Sequence, residues 1–210
     1  SAGAGFSFER FRGQAGDDII DGGTGEDQAD YLNSPTGVSV NLSTGLALDG
    51  FGGTDTLTNI ERVRGSDQAD IIIGDANNNQ LRGEQGADIL DGGAGVDTAD
   101  FTSNTTGGVT ANLTPGEAID QTGGVDTLIN LENLIGSSGN DTLTGDSGVN
   151  TITSGRGNDR IFGSDGNDAL IGIFGGVSGT DFNQVDYSAG TSPVTINLGV
   201  FNAFGTATSA

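Results

Sequence analysis

The chain has 210 residues, and its 29 acidic side chains against seven basic ones give a formal charge of −22 at pH 7. This charge argues against nucleic acid and anionic membrane surfaces as partners, because both are anionic themselves. The sequence contains no cysteine and no histidine, which excludes disulfides and the usual zinc ligands. No apolar run approaches the length of a membrane span, so we expect no membrane insertion and regard cations as the natural partners.

A nine-residue frame occurs ten times along the chain, in blocks at 13–30, 65–100 and 136–171. Glycine predominates at its first and fourth positions, and the eighth position is always apolar. The sixth position holds Asp18, Asp27, Asp70, Asn79, Asp88, Asp97, Asp141, Asn150, Asp159 and Asp168. A disordered acidic segment has no reason to keep these positions in step, so the pattern predicts a folded repeat protein.

Each position of the frame has a physical role. Glycine admits positive φ angles, so the first six residues can form a tight turn. A strand of three residues follows, and its eighth-position side chain points inward. Two such units make a coil of 18 residues, so that alternate repeats stack at the strand spacing of roughly 4.8 Å.

This stacking places like charges next to each other. Asp70 is predicted to lie over Asp88, and Asp141 over Asp159. Two carboxylates about 5 Å apart repel by about 3 kcal/mol at an effective dielectric constant near 20. A hard divalent cation reverses the sign, and carboxylates with turn carbonyls supply the six to eight oxygens that Ca²⁺ prefers. We therefore predict several bound calcium ions, and neither Mg²⁺ nor Zn²⁺ suits the ligands as well.

The frame Gly-Gly-x-Gly-x-Asp-x-(apolar)-x resembles the repeat of RTX, or hemolysin-type calcium-binding, proteins. The resemblance implies an all-β fold, a right-handed parallel β-roll or β-solenoid. It also implies that sixth-position side chains and turn carbonyls hold calcium. Asn79 and Asn150 depart from the pattern, so the sites that pair them with Asp97 and Asp168 should be weaker.

The segments 31–64, 101–135 and 172–210 separate or follow the blocks and resemble one another. Alternating apolar residues predict strands at 38–42, 109–113 and 194–198. The stretches "DTLTNIERV" and "DTLINLENL" are longer strand candidates, and their apolar spacing of three predicts a bulge or a corner of the solenoid. We interpret Tyr31, Phe101 and Tyr187 as plugs of the interior, and the Gly-rich turns add second-rank ligand candidates at Asp55, Asp126 and Asp181.

These patterns predict one solenoid domain over 1–210, made of three units of about 71–85 residues. "GFSFERFRG" at the start matches "LTNIERVRG" within the chain, so the two ends look like halves of one further unit. Head-to-tail stacking, across subunits or through tandem copies, is therefore expected. Such a heterologous contact does not close, and it would build fibres or sheets.

The residue types argue against catalysis. Nucleophile–histidine and Schiff-base arrangements are impossible without His, Cys or Lys, and calcium accounts for the carboxylate pairs. The arginines of "ERFRG" and "ERVRG" suggest an acidic-sugar site, although neutralisation of nearby aspartates explains them more simply.

Three functions remain open. The first is a structural module of a secreted bacterial surface layer, fibre or large adhesin. The second is a calcium-triggered folding and export module attached to a secreted enzyme, such as a protease or polysaccharide epimerase. The third is a carbohydrate-binding module, with a cell-surface polysaccharide as partner. All three place the chain outside the cell.

Overall fold

The structure is a computed structural model that describes residues 8–102, 107–120, 124–172, 183–188 and 194–197. In these ranges the chain forms 21 short strands and no helix. The strands up to the end of the second block are β1 (Arg10–Phe11), β2 (Ile19–Asp21), β3 (Gln28–Asp30), β4 (Ser39–Asn41), β5 (Leu46–Leu48), β6 (Thr54–Thr58), β7 (Arg62–Arg64), β8 (Ile71–Ile73), β9 (Gln80–Arg82), β10 (Ile89–Asp91) and β11 (Thr98–Asp100). The remainder are β12 (Thr110–Asn112), β13 (Glu117–Ile119), β14 (Val125–Ile129), β15 (Asn133–Ile135), β16 (Thr142–Thr144), β17 (Thr151–Thr153), β18 (Arg160–Phe162), β19 (Ala169–Ile171), β20 (Gln184–Asp186) and β21 (Thr195–Asn197).

Two sheets face each other across a narrow core. The nine-stranded sheet has the order β1-β3-β7-β9-β11-β15-β17-β19-β21, and all of its pairings are parallel. The twelve-stranded sheet has the order β2-β6-β5-β4-β8-β10-β14-β13-β12-β16-β18-β20. Within the blocks, consecutive strands alternate between the sheets, which is the parallel β-solenoid expected from the sequence.

The predicted coil length is confirmed by the strand register. Ile71 pairs with Ile89, and Thr151 pairs with Ala169, each 18 residues further on. The side chains at the eighth position of all ten frames are buried, namely Ile20, Ala29, Ile72, Leu81, Leu90, Ala99, Leu143, Ile152, Ile161 and Leu170. One inward residue per three-residue strand is therefore enough to fill the interior.

The first two inserted segments form three-stranded meanders that enter the twelve-stranded sheet. β4, β5 and β6 are connected by antiparallel pairing, as are β12, β13 and β14. β6 is parallel to β2, and β4 is parallel to β8, so the meander joins two blocks without breaking the sheet. Because β3, β7 and β9 stay adjacent in the other sheet, each meander lengthens one face by two strands, about 10 Å.

The predicted strands at 38–42 and 109–113 are confirmed as β4 and β12. The predicted corner is confirmed as well, because β6 and β7 are separated at Asn59 (φ 52°) and β14 and β15 at Asn130 (φ 49°). Sequence analysis missed the central antiparallel strands β5 and β13. Their residues lie in turn-rich stretches with little alternation.

The third inserted segment differs from the first two. β21, within 194–198, joins the nine-stranded sheet, whereas β4 and β12 lie in the twelve-stranded one. The reason is that β20 already occupies the twelve-stranded sheet beside β18, so this segment enters half a coil out of phase. Tyr31 is buried and Phe101 packs against the core, but Tyr187 is 40% exposed, so its prediction as a plug is wrong.

Across the described ranges, none of the secondary structure is a helix of the length and apolarity that crossing a membrane requires.

The close stacking of the turns can be tested by adding a Cβ to a glycine that contacts the neighbouring turn and to one that does not. Gly95 has φ 140°, and a Cβ there would lie 2.5 Å from the carbonyl oxygen of Asn77 in the turn below. Gly16 has φ 127°, but a Cβ there would meet nothing within 4 Å. We expect Gly95→Ala to lower the free energy of unfolding by about 1–3 kcal/mol more than Gly16→Ala, because only the first adds overpacking to backbone strain.

Urea unfolding in saturating calcium measures this difference. Equal effects of the two substitutions would show that the turns are not in contact at this spacing.

Candidate metal-binding turns

The six-residue turns of the frames stack in two columns, one along each edge of the solenoid. Turns that lead from the nine-stranded to the twelve-stranded sheet form the first column, at 13–18, 65–70, 83–88, 136–141 and 154–159. Turns in the other direction form the second column, at 22–27, 74–79, 92–97, 145–150 and 163–168. Every turn ends on its sixth-position Asp or Asn, so each column carries a row of these side chains.

Backbone hydrogen bonds tie successive members of each row. The amide N–H of Asp70 donates to Oδ1 of Asp88 (2.8 Å), and that of Asp141 donates to Oδ1 of Asp159 (3.0 Å). In the second column the N–H of Asn79 donates to Asp97 (2.6 Å), and that of Asn150 to Asp168 (3.0 Å). The stacking of residues 18 apart is thus confirmed, and one oxygen of each of these four carboxylates holds the preceding turn.

The meanders continue both rows. The N–H of Asp18 donates to Oδ1 of Asp55 (3.1 Å), and that of Asp88 donates to Oδ1 of Asp126 (3.0 Å). The structure therefore brings both second-rank candidates into the first column. Asp181, the third, lies outside the described residues.

Three residues of the rows were missed by sequence analysis. In the second column the N–H groups of Asp27 and Asp97 donate to Oε2 of Glu61 (2.9 Å) and Glu132 (2.7 Å). In the first column the N–H of Asp159 donates to Oδ1 of Asn183 (3.1 Å). The two glutamates occur at matching places in "NIERV" and "NLENL", and that repetition was the signal that could have found them.

The second carboxylate oxygens are the unusual feature of these turns. Among the described residues, Oδ2 is buried without a hydrogen-bond partner in Asp18, Asp27, Asp88, Asp97 and Asp168. A buried acceptor that carries charge is costly unless a donor or a cation meets it. These oxygens are the ones that a metal ion would satisfy.

Main-chain carbonyl oxygens lie close to these carboxylate oxygens. A Cβ on Gly92 would lie 2.7 Å from Oδ2 of Asp97 and 2.2 Å from the carbonyl oxygen of Asn130. A Cβ on Gly22 would lie 3.1 Å from Oδ2 of Asp27 and 2.1 Å from the carbonyl oxygen of Asn59. Each of these carboxylate oxygens is therefore within about 5 Å of a main-chain carbonyl oxygen of the neighbouring coil, and this donor set fits Ca²⁺.

Not every turn depends equally on a cation. Oδ2 of Asp70 accepts the N–H of Ser66 (2.6 Å) and its Oδ1 accepts the Ser66 hydroxyl (2.8 Å). Asp141 accepts the same two bonds from Ser137 (2.8 and 2.7 Å). A serine at the second position therefore satisfies the carboxylate from within its own turn.

The two asparagines also differ from each other. The amide nitrogen of Asn150 donates to the carbonyl oxygen of Glu132 (2.8 Å), whereas that of Asn79 is buried without a partner. Both accept an N–H through Oδ1, from Asp146 (2.9 Å) and Asp75 (2.7 Å). Both amide oxygens thus remain oriented into the turn, but they bring no charge.

Burial and crowding raise the pKa of several of these carboxyl groups. Burial first, and then the charges of Asp126, Asp70 and Asp120, raise the pKa of Asp88 to about 8. Burial raises the pKa of Asp126 and of Asp141 to about 6. Without a positive charge between the turns, the folded chain holds these protons more tightly than the unfolded chain does.

The arginines are used elsewhere, on the outside of the nine-stranded sheet. Arg12 pairs with Asp30 (2.8 Å), Arg62 with Glu26 (2.8 Å) and Arg64 with Glu84 (2.5 Å). Asp30 is fully buried and also lies 3.6 Å from Arg10. These contacts agree with neutralisation of nearby carboxylates, the simpler interpretation of the two Arg-x-Arg motifs.

Side chains alone do not enclose a metal. In the part of the chain that the structure describes, no group of three or more His, Cys, Asp or Glu side chains gathers closely enough to bind one. Main-chain carbonyl oxygens of stacked turns would therefore have to complete the coordination of an ion.

Comparison with known families identifies these turns. Residues 4–30, 64–99 and 135–170 match the family described as RTX calcium-binding nonapeptide repeat (4 copies). The matched ranges cover the three blocks, apart from the last residue of the second and third, and omit both meanders. No curated protein matches the chain.

The repeats, the parallel solenoid and the oxygen-lined turns define a calcium-binding β-roll module. The three nonapeptide blocks are RTX, or hemolysin-type, calcium-binding repeats. Repeats of this kind are typical of secreted bacterial proteins.

The raised pKa values predict an inverted pH dependence in the absence of calcium. Because the pKa of Asp88 is about 8 in the fold and 3.8 ordinarily, the folded state binds the proton more tightly. The free energy of unfolding in chelator should therefore rise as pH falls from 8, and level off near about 4, where the unfolded chain is protonated too.

The β-sheet circular dichroism signal in chelator checks this trend, because it should be absent at pH 7.5 and increase as the pH falls towards 4. The calcium-saturated protein is the control and should lose stability on acidification, because protons compete with the ion. A chelated sample whose β signal does not increase between pH 7.5 and pH 5 would contradict the prediction.

Proposed function

We propose that this chain is a calcium-dependent structural module of a secreted bacterial surface layer, fibre or large adhesin. The observation that carries the proposal is the pair of carboxylate rows, which run along both edges and keep buried oxygens without partners. Calcium between the turns would convert a self-repelling chain into a rigid rod. Such a rod needs no further chemistry to serve as a building block.

The ligands proposed for calcium are the sixth-position residues and the two meander aspartates. We rank Asp18, Asp27, Asp88, Asp97 and Asp168 first, because their free oxygens lack donors. Asp159 follows on position alone, together with Asp55 and Asp126. Smaller contributions are expected from Asp70 and Asp141, because serine donors satisfy their carboxylates. The same holds for Asn79 and Asn150, because their amides carry no charge.

The module is proposed to act without catalysis. The recurring feature of its turns is a set of oxygen atoms suited to metal coordination, and the chain has no histidine, cysteine or lysine to serve as base or nucleophile. The carbohydrate-binding alternative loses its main support because three of the arginines that suggested it are held by carboxylates within 2.8 Å.

Assembly through the ends of the solenoid is the second part of the proposal. In the described ranges, β1 and β2 are the first strands of the two sheets and pair on one side only. Ile19 of β2 is 85% exposed. Unpaired strand edges with apolar side chains favour pairing with another copy, either across subunits or in tandem within a longer polypeptide.

The export-module alternative shares the calcium-coupled folding and differs only in its neighbours. A catalytic domain in the adjoining sequence would favour it, whereas further repeats would favour the structural role.

The calcium requirement can be tested by substitution. In saturating calcium we expect Asp88→Ala to lower the free energy of unfolding by about 2.7 kcal/mol, the contribution of one site at a hundredfold excess of ligand over Kd. Asn79→Ala is the matched control and should cost less, since it removes no charge from its site. In chelator, both variants and the parent chain should lack the β-sheet circular dichroism signal.

The measurement is urea unfolding with and without a calcium chelator. A parent chain that keeps its β signal in chelator at pH 7.5 would overturn the calcium-dependent function.

Assembly can be tested by charging the exposed edge. We expect Ile19→Lys to reduce self-association in millimolar calcium, because lysine on an edge strand opposes strand pairing. Ile71→Lys, on the same face but within the sheet and 43% exposed, is the control and should assemble like the parent. Size-exclusion chromatography with light scattering reads out the mass.

A parent chain that stays monomeric at every concentration would contradict assembly across subunits. Tandem copies in one polypeptide would then be the form of the proposal that survives.

A further inference from the structure

The turn that leads into β6 is closed on a single carboxylate. Oδ1 of Asp49 accepts the N–H groups of Phe51 (2.8 Å), Gly52 (2.9 Å) and Gly53 (2.8 Å). Asp49 is wholly buried. Asp49 does not belong to a nonapeptide frame and was not among the ligand candidates predicted from the sequence. It also lies outside the residues that match the family.

The other oxygen of Asp49 faces an acceptor instead of a donor. Oδ2 is buried and has no hydrogen-bond partner. A Cβ on Gly53 would lie 2.8 Å from this oxygen and 2.2 Å from the carbonyl oxygen of Gly16, in the first turn of the chain. Two oxygens that cannot donate therefore lie no more than about 5 Å apart, between the turns 13–18 and 49–53, a separation that one Ca²⁺ ion can bridge.

The surroundings add negative charge. A Cβ on Gly13 would lie 2.8 Å from Oδ2 of Asp18 and 3.1 Å from Oδ2 of Asp55. Oδ2 of Asp18 also lacks a partner, whereas Oδ2 of Asp55 accepts the hydroxyl of Tyr31 (3.1 Å). Acceptors outnumber donors here, and a cation is the group that satisfies such a set.

We propose that Asp49 is a calcium ligand, and that its Oδ2 and the Gly16 carbonyl oxygen form a cation site between the first nonapeptide turn and the first meander. Asp18 and Asp55 lie beside this site and favour a divalent ion over a bridging water molecule. The inference rests on the proposed calcium dependence but adds a site that the nonapeptide motif does not encode. It makes the meander a calcium-bound part of the column.

Tyr31 supplies a local reporter for this site. The chain has two tyrosines and no tryptophan, and Tyr31 is bonded to Asp55 next to the proposed ion. Tyr187, in contrast, follows β20 at the opposite end of the twelve-stranded sheet. Terbium replaces calcium at oxygen sites and emits when a nearby excited tyrosine transfers energy to it.

The experiment is a terbium titration of the calcium-loaded protein, with excitation of tyrosine. We expect emission from the parent chain and from Tyr187→Phe, competition by added calcium, and no emission from Tyr31→Phe. Asp49→Asn keeps an oxygen for the three N–H groups and should weaken terbium binding by about tenfold, equivalent to about 1.4 kcal/mol. Asp120→Asn, the corresponding change in the second meander beside Phe101, should leave the emission unchanged.

Two outcomes would overturn the proposal. One is a parent chain whose terbium emission does not depend on Tyr31. The other is an Asp49→Asn titration identical to that of the parent and of Asp120→Asn. The comparison of the parent chain with Tyr31→Phe remains informative even if Asp49→Asn does not fold. Circular dichroism of the same samples, with and without chelator, tests the calcium-dependent fold separately.

Discussion

Stacked carboxylates at the spacing of β-strands are the constraint on which the rest of this structure depends. In both columns, carboxylates that end a turn accept the N–H of the equivalent residue in the turn before, as Asp88, Asp126 and Glu132 do. These bonds hold successive turns, and therefore successive strands, in register. They leave the second carboxylate oxygen buried among like charges, a cost that a calcium ion shared with main-chain carbonyls would offset.

The meanders show that this constraint extends beyond the nonapeptide blocks. Asp55 and Asp126 continue one row, and Glu61 and Glu132 continue the other, although the chain between them folds back twice through antiparallel strands. The glutamates stand where the turn shortens to a corner at Asn59 or Asn130. Their longer side chain reaches the amide that an aspartate would reach from a six-residue turn.

The turns differ in whether a hydrogen-bond donor of the same turn satisfies the sixth-position carboxylate. Ser66 and Ser137 satisfy Asp70 and Asp141 at the start of the second and third blocks, while Asp88, Asp97 and Asp168 have no such donor. The second and third blocks thus begin on turns whose carboxylate is satisfied by hydrogen bonds, and they continue into turns whose carboxylate keeps a buried oxygen without a partner. If calcium occupies these turns as proposed, dependence on the ion would differ from turn to turn along the solenoid.

The sequence by itself determined the 18-residue coil, the buried eighth positions and the rows of sixth-position residues, because each depends on local turn chemistry and on a strict period. Only the tertiary structure decided the antiparallel strands β5 and β13, the opposite sheet taken by β21, and the entry of Glu61, Glu132 and Asn183 into the turn columns. These features depend on which strand already occupies the neighbouring place in a sheet. That information lies in contacts between distant residues, which no local periodicity encodes.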